Sequence, residues 1–140
     1  MQQIDSMIKY AESFIGTPYG WGKDGGGQFD CSGFIQEVLS SEGFDPYGDQ
    51  TAAQLFELLR NKYHVQYIEK ESFIKKGTIL FFGGDKITHV AMAINNRQMI
   101  EAGGGYSKTI TKNDALLHAA MVRKRIISSR KDLHVIVNIF

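Results

Sequence analysis

Cys31 is the single cysteine of the chain, and its position favours a nucleophile. Asp30, directly before it, is a good helix N-cap, so the thiol is expected in the first turn of a helix, where the backbone amides favour an anion. The glycine-rich stretch over residues 20–27 precedes this turn and would leave the thiol accessible. A lone cysteine is more often a small buried apolar residue, and that alternative stays open on this residue alone.

A thiolate nucleophile needs a general base, and the chain has four histidines. His89 is the preferred candidate because it opens the run HVAMAI directly after the turn-like GGDKIT, at the mouth of a predicted strand. His64 follows a predicted helix in a polar stretch and is expected at the surface. His118 lies in LLHAAM, which is compatible with core or loop, and His134 interrupts an apolar strand as a candidate edge residue.

The base in turn needs an orienting partner, and Glu101 lies on the strand that follows HVAMAI. Two asparagines at 95–96 predict a tight two-residue hairpin turn. Such a turn sets Glu101 opposite Val90, one residue from the position that faces His89, and a bulge or another turn type would change this register. The alternative is a charged residue at a solvent-facing strand position.

Helices are predicted in the first part of the chain to carry these residues. Apolar residues at helical spacing predict a first helix over residues 4–15, stopped by Gly-Thr-Pro at 16–18. A second helix is predicted from Asp30 to the glycine at position 43. A third begins near Thr51, because Thr51 and Gln54 fit the capping-box pattern.

Strands are predicted in the second part of the chain, from about residue 78 onward. The β-rich runs are TILFF, HVAMAI, RQMIEA, KTITK, MVRKRII and LHVIVNIF. Helices followed by hairpin-connected strands predict an α+β fold, with the N-terminal helices packed on a central antiparallel sheet. The length of 140 residues suits a single domain over 1–140.

Composition narrows the function classes. Hydrophobic residues make up 43% and charged residues 22%, with a net charge of +1, so we expect a globular protein without nucleic-acid partners. The one dense basic run, Arg123-Lys124-Arg125, is interpreted as a solvated strand edge. No metal-ligand or phosphate-loop spacing occurs, so no metal and no cofactor is expected.

The N-terminus has no basic segment, apolar run or small-residue cleavage site of a signal peptide, and no run is long enough to insert into a membrane. We therefore expect a cytoplasmic protein as encoded, unless it is exported by a non-classical, phage or effector route.

Three sequence blocks resemble the signature blocks of the NlpC/P60 cysteine peptidases. They are GTPYGWG at 16–22, FDCSGFI at 29–35 and HVAMAI at 89–94, and their order and spacing match the family as well. The resemblance runs from about Ile4 to about Arg125. It implies a papain-like α+β fold, with the nucleophile on a helix packed against an antiparallel sheet. It also implies a peptidoglycan or muropeptide substrate, cut between D-γ-glutamyl and a diamino acid.

The resemblance assigns roles to individual residues. Cys31 would be the nucleophile and His89 the base, while Glu101 stands where the family commonly has a histidine as third polar residue. Tyr19 matches a tyrosine that lines the family's site, and its hydroxyl would help to hold the oxyanion. Three residues would contact or enclose the substrate: Asp30 and Ser32 match positions that contact its free amine, and Trp21 matches an aromatic that would wall the cleft.

Two other functions remain open from the sequence. The same Cys-His chemistry serves acyltransferases and amidases acting on other substrates, so transfer of the acyl group to an amine is one alternative. A non-catalytic cell-wall-binding or phage-tail module is the other, although such a module needs neither Cys31 nor His89.

Overall fold

The computed structural model describes residues 2–25, 27–45, 48–67, 74–105 and 108–140. Its helices are α1 (Gln2–Glu12), α2 (Cys31–Ser40), α3 (Ala52–Arg60) and α4 (Lys112–Leu117). Its strands are β1 (Asp24–Gly25), β2 (Gln28–Phe29), β3 (His64–Tyr67), β4 (Ile79–Phe82), β5 (His89–Ala93), β6 (Gln98–Gly103), β7 (Met121–Ile126) and β8 (Leu133–Asn138).

The main sheet has six antiparallel strands in the order β3-β8-β4-β5-β6-β7, and β1 and β2 form a separate two-stranded piece. The central strands are buried on both faces. One face packs against α2 and α3 through the larger core cluster, and the other carries a smaller cluster centred on Leu80, Phe82 and Ile136. The predicted α+β fold, helices on a central antiparallel sheet, is confirmed.

Side-chain caps fix the beginnings of two helices that border the candidate site. The Asp30 carboxylate accepts a hydrogen bond from the Gly33 amide at 2.7 Å and so begins α2 at Cys31. Thr51 caps α3 in a capping box, in which its hydroxyl accepts from the Gln54 amide and the Gln54 side chain accepts from the Thr51 amide. Both N-termini were predicted from these residue types, because a capping side chain satisfies amides that have no partner inside the helix.

The hairpin that joins β5 and β6 differs from the prediction by one residue. Met92 pairs with Ile100 and Ala93 with Met99, and the Ile94 amide donates to the Gln98 carbonyl, which leaves a three-residue loop rather than a two-residue turn. The side chain of Asn95 closes this longer loop: its Oδ1 accepts hydrogen bonds from two amides of the loop, Arg97 and Gln98, each at 2.8 Å. The predicted register was therefore wrong.

Two predicted elements also differ. Residues 108–111 of KTITK form no strand, because Thr111 caps α4 and accepts from the Asp114 amide, so a helix begins where a strand was expected. The first helix ends at Glu12 rather than Ile15, and Ile15 is half exposed. The other five predicted strand runs all contain strands. No helix in the described part of the chain is long and apolar enough to cross a membrane.

Candidate active site

Cys31 is the first residue of α2, and its thiol is partly exposed at the end of the sheet. Its Sγ lies 4.0 Å from the carbonyl oxygen of Thr88, the residue just before β5. The N-cap Asp30 orders the first turn, so the sulfur lies beside backbone amides that α2 itself does not use. These amides favour negative charge at the sulfur.

His89 begins β5 and turns one ring nitrogen toward Glu101. Its Nε2 lies 2.7 Å from Oε1 of Glu101, so the other nitrogen, Nδ1, is available to Cys31. Burial lowers the pKa of His89, but hydrogen bonds with Cys31 and Glu101 and the charges of both groups outweigh burial and raise it from 6.5 to about 9. The arrangement therefore favours an imidazolium beside the Cys31 sulfur at neutral pH.

Glu101 is a buried carboxylate, with 1% of its surface exposed. Besides His89, it contacts two arginines of β7: Arg123 Nε donates to Oε2 at 3.0 Å, and Arg125 Nη1 lies 3.5 Å from the same oxygen. Burial raises the pKa of Glu101, but the hydrogen bonds and charges of His89 and Arg123 prevail and hold it well below its usual range. The alternative from the sequence, in which Glu101 is a solvent-facing strand residue, is thus wrong.

The basic run Arg123-Lys124-Arg125 is only partly the solvated edge that was predicted. Lys124 reaches Glu12 at 2.6 Å near the surface. The arginines on either side of it lie on the opposite face of β7, are about one-third exposed and contact Glu101. The sequence interpretation missed this role because it depends on pairing between distant strands, in which Glu101 lies directly opposite Arg123.

Tyr19 is buried and borders the same cleft, where a glycine makes room for its ring. A Cβ at Gly105 would overlap the Tyr19 ring, so only glycine allows the backbone this close. Burial, followed by the nearby negative charges of Cys31 and Asp30, raises the pKa of Tyr19 above its usual value of 10. The hydroxyl therefore stays protonated and is suited to donate a hydrogen bond to an anion.

The cleft has a volume of about 430 Å³ and brings together all seven sequence-predicted site residues. These are Tyr19, Trp21, Asp30, Cys31, Ser32, His89 and Glu101. Ser32 is buried and donates to Asp30 Oδ1 at 3.3 Å, and Trp21 is half exposed at the rim. Burial is the main cause that raises the pKa of Asp30, partly offset by the hydrogen bond from Gly33. All seven residues thus border one cleft, and the role of each stays a prediction.

A second cleft residue that sequence reasoning missed is Arg130, which follows the 3₁₀ turn Ile127–Ser129. Its guanidinium donates two hydrogen bonds to Asp132, at 2.9 and 2.7 Å, and lies over the Phe82 ring. The sequence signal for this arginine is Asp132 two residues later, because an arginine and a carboxylate at this spacing can form a bidentate pair that orders the guanidinium.

The other three histidines lie away from this cleft. His64 and His134 are exposed on strands β3 and β8, and His118 is an exposed C-cap of α4. Within the described ranges, no group of three or more His, Cys, Asp or Glu side chains has the arrangement of a metal site.

Comparison with known proteins identifies relatives over most of the chain. The model of the NlpC/P60 family matches residues 16–131. A gamma-D-glutamyl-L-lysine dipeptidyl-peptidase of Bacillus cereus is 31% identical over 102 residues, which cover 70% of this chain and 28% of that protein. A probable endopeptidase p60 of Listeria innocua is 34% identical over 98 residues, covering 69% of this chain and 19% of that one. The chain thus spans less than a third of the length of these relatives.

Solved structures share the fold at low sequence identity. The NlpC/p60 domain of the peptidoglycan hydrolase SagA superposes with a TM-score of 0.70 at 23% identity, covering 97% of this chain and 98% of that one. RipD of Mycobacterium tuberculosis, described as a non-catalytic NlpC/p60 domain protein adapted to peptidoglycan binding, gives 0.68 at 20% identity, covering 100% and 99%. At these identities the similarity establishes the fold, which is shared by a hydrolase and a non-catalytic protein.

Proposed function

The chain belongs to the NlpC/P60 family, and from that premise we propose that it is a cysteine hydrolase of peptidoglycan stem peptides. The observation that carries the proposal is the series of contacts from Cys31 through His89 to Glu101. In it, a buried, charged carboxylate forms a hydrogen bond with the imidazole at 2.7 Å. A protein that only bound the wall would not need a thiol, a base and an orienting carboxylate in contact.

The proposed reaction passes through an acyl-enzyme. Cys31 Sγ attacks the carbonyl carbon of the scissile amide, and His89, holding the thiol proton, gives that proton to the leaving amine as the C–N bond breaks. Water then attacks the thioester carbon, His89 accepts a proton from the water, and the thiol is regenerated as the carboxylic acid leaves. The Cys31 amide and the Tyr19 hydroxyl are proposed to donate to the oxyanion formed in each step.

The bond we propose is the one between D-γ-glutamate and the diamino acid. The name of the Bacillus cereus relative specifies a γ-D-glutamyl bond for that protein. In this chain, Asp30 and Ser32 offer a carboxylate and a hydroxyl next to Cys31, where a free amine of the shortened stem would bind. Trp21 at the rim would cover the bound peptide.

Digestion of defined muropeptides, with products identified by mass spectrometry, tests the proposal. Wild type is expected to release products ending in D-γ-glutamate, while Cys31→Ala and His89→Gln leave the substrate intact. His134→Gln is the matched control, because His134 is an exposed strand histidine outside the cleft, and it should cleave like wild type.

Other results would contradict the proposal. Intact substrate in every sample, with binding to peptidoglycan retained by Cys31→Ala, would indicate a binding module instead. Products joined to an added amine, in preference to hydrolysed ones, would indicate acyl transfer. Cleavage by Cys31→Ala would remove Cys31 from the mechanism.

A further inference from the structure

The buried carboxylate of Glu101 divides its two oxygens between different partners. Oε1 faces His89 at 2.7 Å, and Oε2 accepts from Arg123 Nε at 3.0 Å. Arg123 lies directly across the β6–β7 ladder from Glu101, so the contact follows from strand pairing rather than from a flexible surface side chain. The Arg123 side chain is 29% exposed, while that of Glu101 is 1% exposed. The arginine therefore bridges the buried oxygen and the cleft.

A carboxylate this deeply buried needs a permanent counter-charge. His89 is a cation only while protonated, and it must lose that proton during the reaction proposed above. An arginine guanidinium is a permanent cation in proteins, so the contact with Arg123 can hold Glu101 ionised when His89 is neutral. Its bond to Oε2 also fixes the rotation of the carboxylate, and that rotation determines whether Oε1 meets the imidazole.

The glycine at position 103 is part of the same arrangement. A Cβ there would overlap Oε2 of Glu101 and would lie about 3.0 Å from Arg123 Nη2. The carboxylate and the guanidinium thus occupy the space that a side chain would take. Both groups are seated against the backbone of β6, which restricts them to this orientation.

Other charged groups surround the pair from each neighbouring element. Cys31 on α2 helps to raise the pKa of His89, and Arg125 Nη1 on β7 lies 3.5 Å from Glu101 Oε2. After β7, Arg130 interacts electrostatically with Glu101, and Asp132 interacts with His89. Among these groups, Arg123 is the one that donates a hydrogen bond to the carboxylate from the opposite side to His89.

We propose that Arg123 is a positioning residue, which holds Glu101 ionised and rotated toward His89 and thereby sets the reactivity of Cys31. The inference rests on the proposed function for its biological role. It extends the Cys31–His89–Glu101 arrangement by one residue that neither the sequence pattern nor the comparisons assign.

Alkylation of Cys31 by iodoacetamide tests this inference without any peptidoglycan substrate. Cys31 is the only cysteine, so intact mass reads its reaction alone, in which an S–C bond forms and iodide leaves. Arg123→Met is expected to lower the alkylation rate at neutral pH by roughly ten- to a hundredfold, by analogy with the loss caused by removing a partner that orients a metal-binding histidine. Lys124→Met, on the same strand but facing Glu12, is the matched control and should react like wild type.

A double-variant cycle separates action through Glu101 from a general effect on the fold. In the Glu101→Gln background, Arg123→Met should change the rate by less than about twofold, because the partner through which it acts is already neutral. Arg123→Lys, which keeps the cation, should recover part of the loss. An equal loss from Arg123→Met in both backgrounds, or a lysine no better than methionine, would overturn the proposal.

Stability supplies a second readout in case Arg123→Met folds poorly. Removing the arginine leaves a buried carboxylate short of one counter-charge, so the melting temperature should fall at neutral pH. This loss should shrink only as the pH falls toward about 2, through the folded-state pKa of Glu101. Adding Glu101→Gln to Arg123→Met should restore part of the melting temperature. A loss independent of pH and unaffected by Glu101→Gln would mean that Arg123 is only a packing residue. If the inference holds while muropeptides stay uncut, the substrate proposal fails by itself.

Discussion

His89 and Glu101 lie on the same face of the sheet because the loop between their strands has three residues rather than two. Alternate residues of a strand share a face, so His89 lies with Ala93, which pairs with Met99, and Met99 shares its face with Glu101. A two-residue turn would move every side chain of β6 to the opposite face. The 2.7 Å contact between the two side chains therefore depends on one residue of loop length.

Replacing Glu101 with glutamine should shift the pH dependence of activity. The carboxylate helps to raise the pKa of His89 above its ordinary value, so the imidazolium persists as the pH rises toward about 9. Without the carboxylate charge, the imidazolium should be lost at a lower pH. The basic limb of the pH–rate profile should therefore shift to lower pH. Activity at neutral pH should fall by roughly a hundredfold.

The same variant should lose stability at pH values below about 9, and most of all below about 6.5. A histidine with a raised folded-state pKa stabilises the fold fully below its unfolded pKa, and that contribution disappears as the pH rises through the folded-state value. The contribution of His89 should thus be smaller in Glu101→Gln, and the NMR titration of the His89 ring should show a lower pKa. An unchanged His89 titration would contradict the electrostatic role of Glu101.

The sequence was sufficient for features that depend on local residue patterns. Asp30 and Thr51 predicted where α2 and α3 begin, because capping is a contact between residues three positions apart. The cleft residues Cys31 and His89 were located by the same kind of signal, a helix start and a strand start. Glu101 was proposed from its place on the following strand, and the resemblance to the NlpC/P60 blocks supplied Tyr19, Trp21 and Ser32.

Features that depend on non-local pairing or on one loop side chain were not predicted. The contact of Arg123 with Glu101 follows from the β6–β7 register, which no local pattern specifies. The β5–β6 loop is one residue longer than predicted, and the Asn95 side chain closes it with two hydrogen bonds that the sequence pattern did not indicate. KTITK has β-branched residues typical of a strand, but Thr111 and Asp114 form a helix cap, and that local signal was overlooked.

Tyr19→Phe should lower kcat with little change in KM. Its hydroxyl stays protonated because burial raises the pKa, and as a donor to the oxyanion it would act in the transition state more than in the substrate complex. Loss of one such donor costs about 10²–10³ in kcat in well-studied hydrolases. Tyr67→Phe is the control, because Tyr67 is a half-exposed tyrosine of β3. An unchanged kcat for Tyr19→Phe would exclude the oxyanion role.

Gly103→Ala should impair the site from within the backbone of β6. The added Cβ would overlap the Glu101 carboxylate, which must then turn away from His89, or the strand must shift. Overpacking of this kind costs about 1–3 kcal/mol of stability, and muropeptide cleavage should fall together with the Cys31 alkylation rate. Gly84→Ala is the matched control, since a Cβ there meets nothing within 4 Å. Full activity of Gly103→Ala would show that the carboxylate position is not restrictive.

Asn95→Ala should weaken the loop without abolishing the register. The Asn95 side chain accepts hydrogen bonds from the Arg97 and Gln98 amides, and loss of these two exposed bonds should cost about 1 kcal/mol in the free energy of unfolding. The buried faces of β5 and β6 should still hold the pairing. A slip of one residue would move Met99 and Ile100, which are both buried, to the opposite faces of the sheet. Chemical denaturation measures the loss, with Asn96→Ala as the neighbouring control, and the folded variant should keep its alkylation rate. A folded Asn95→Ala with a slow alkylation rate would mean that the loop side chain, and not the buried faces, determines the position of Glu101.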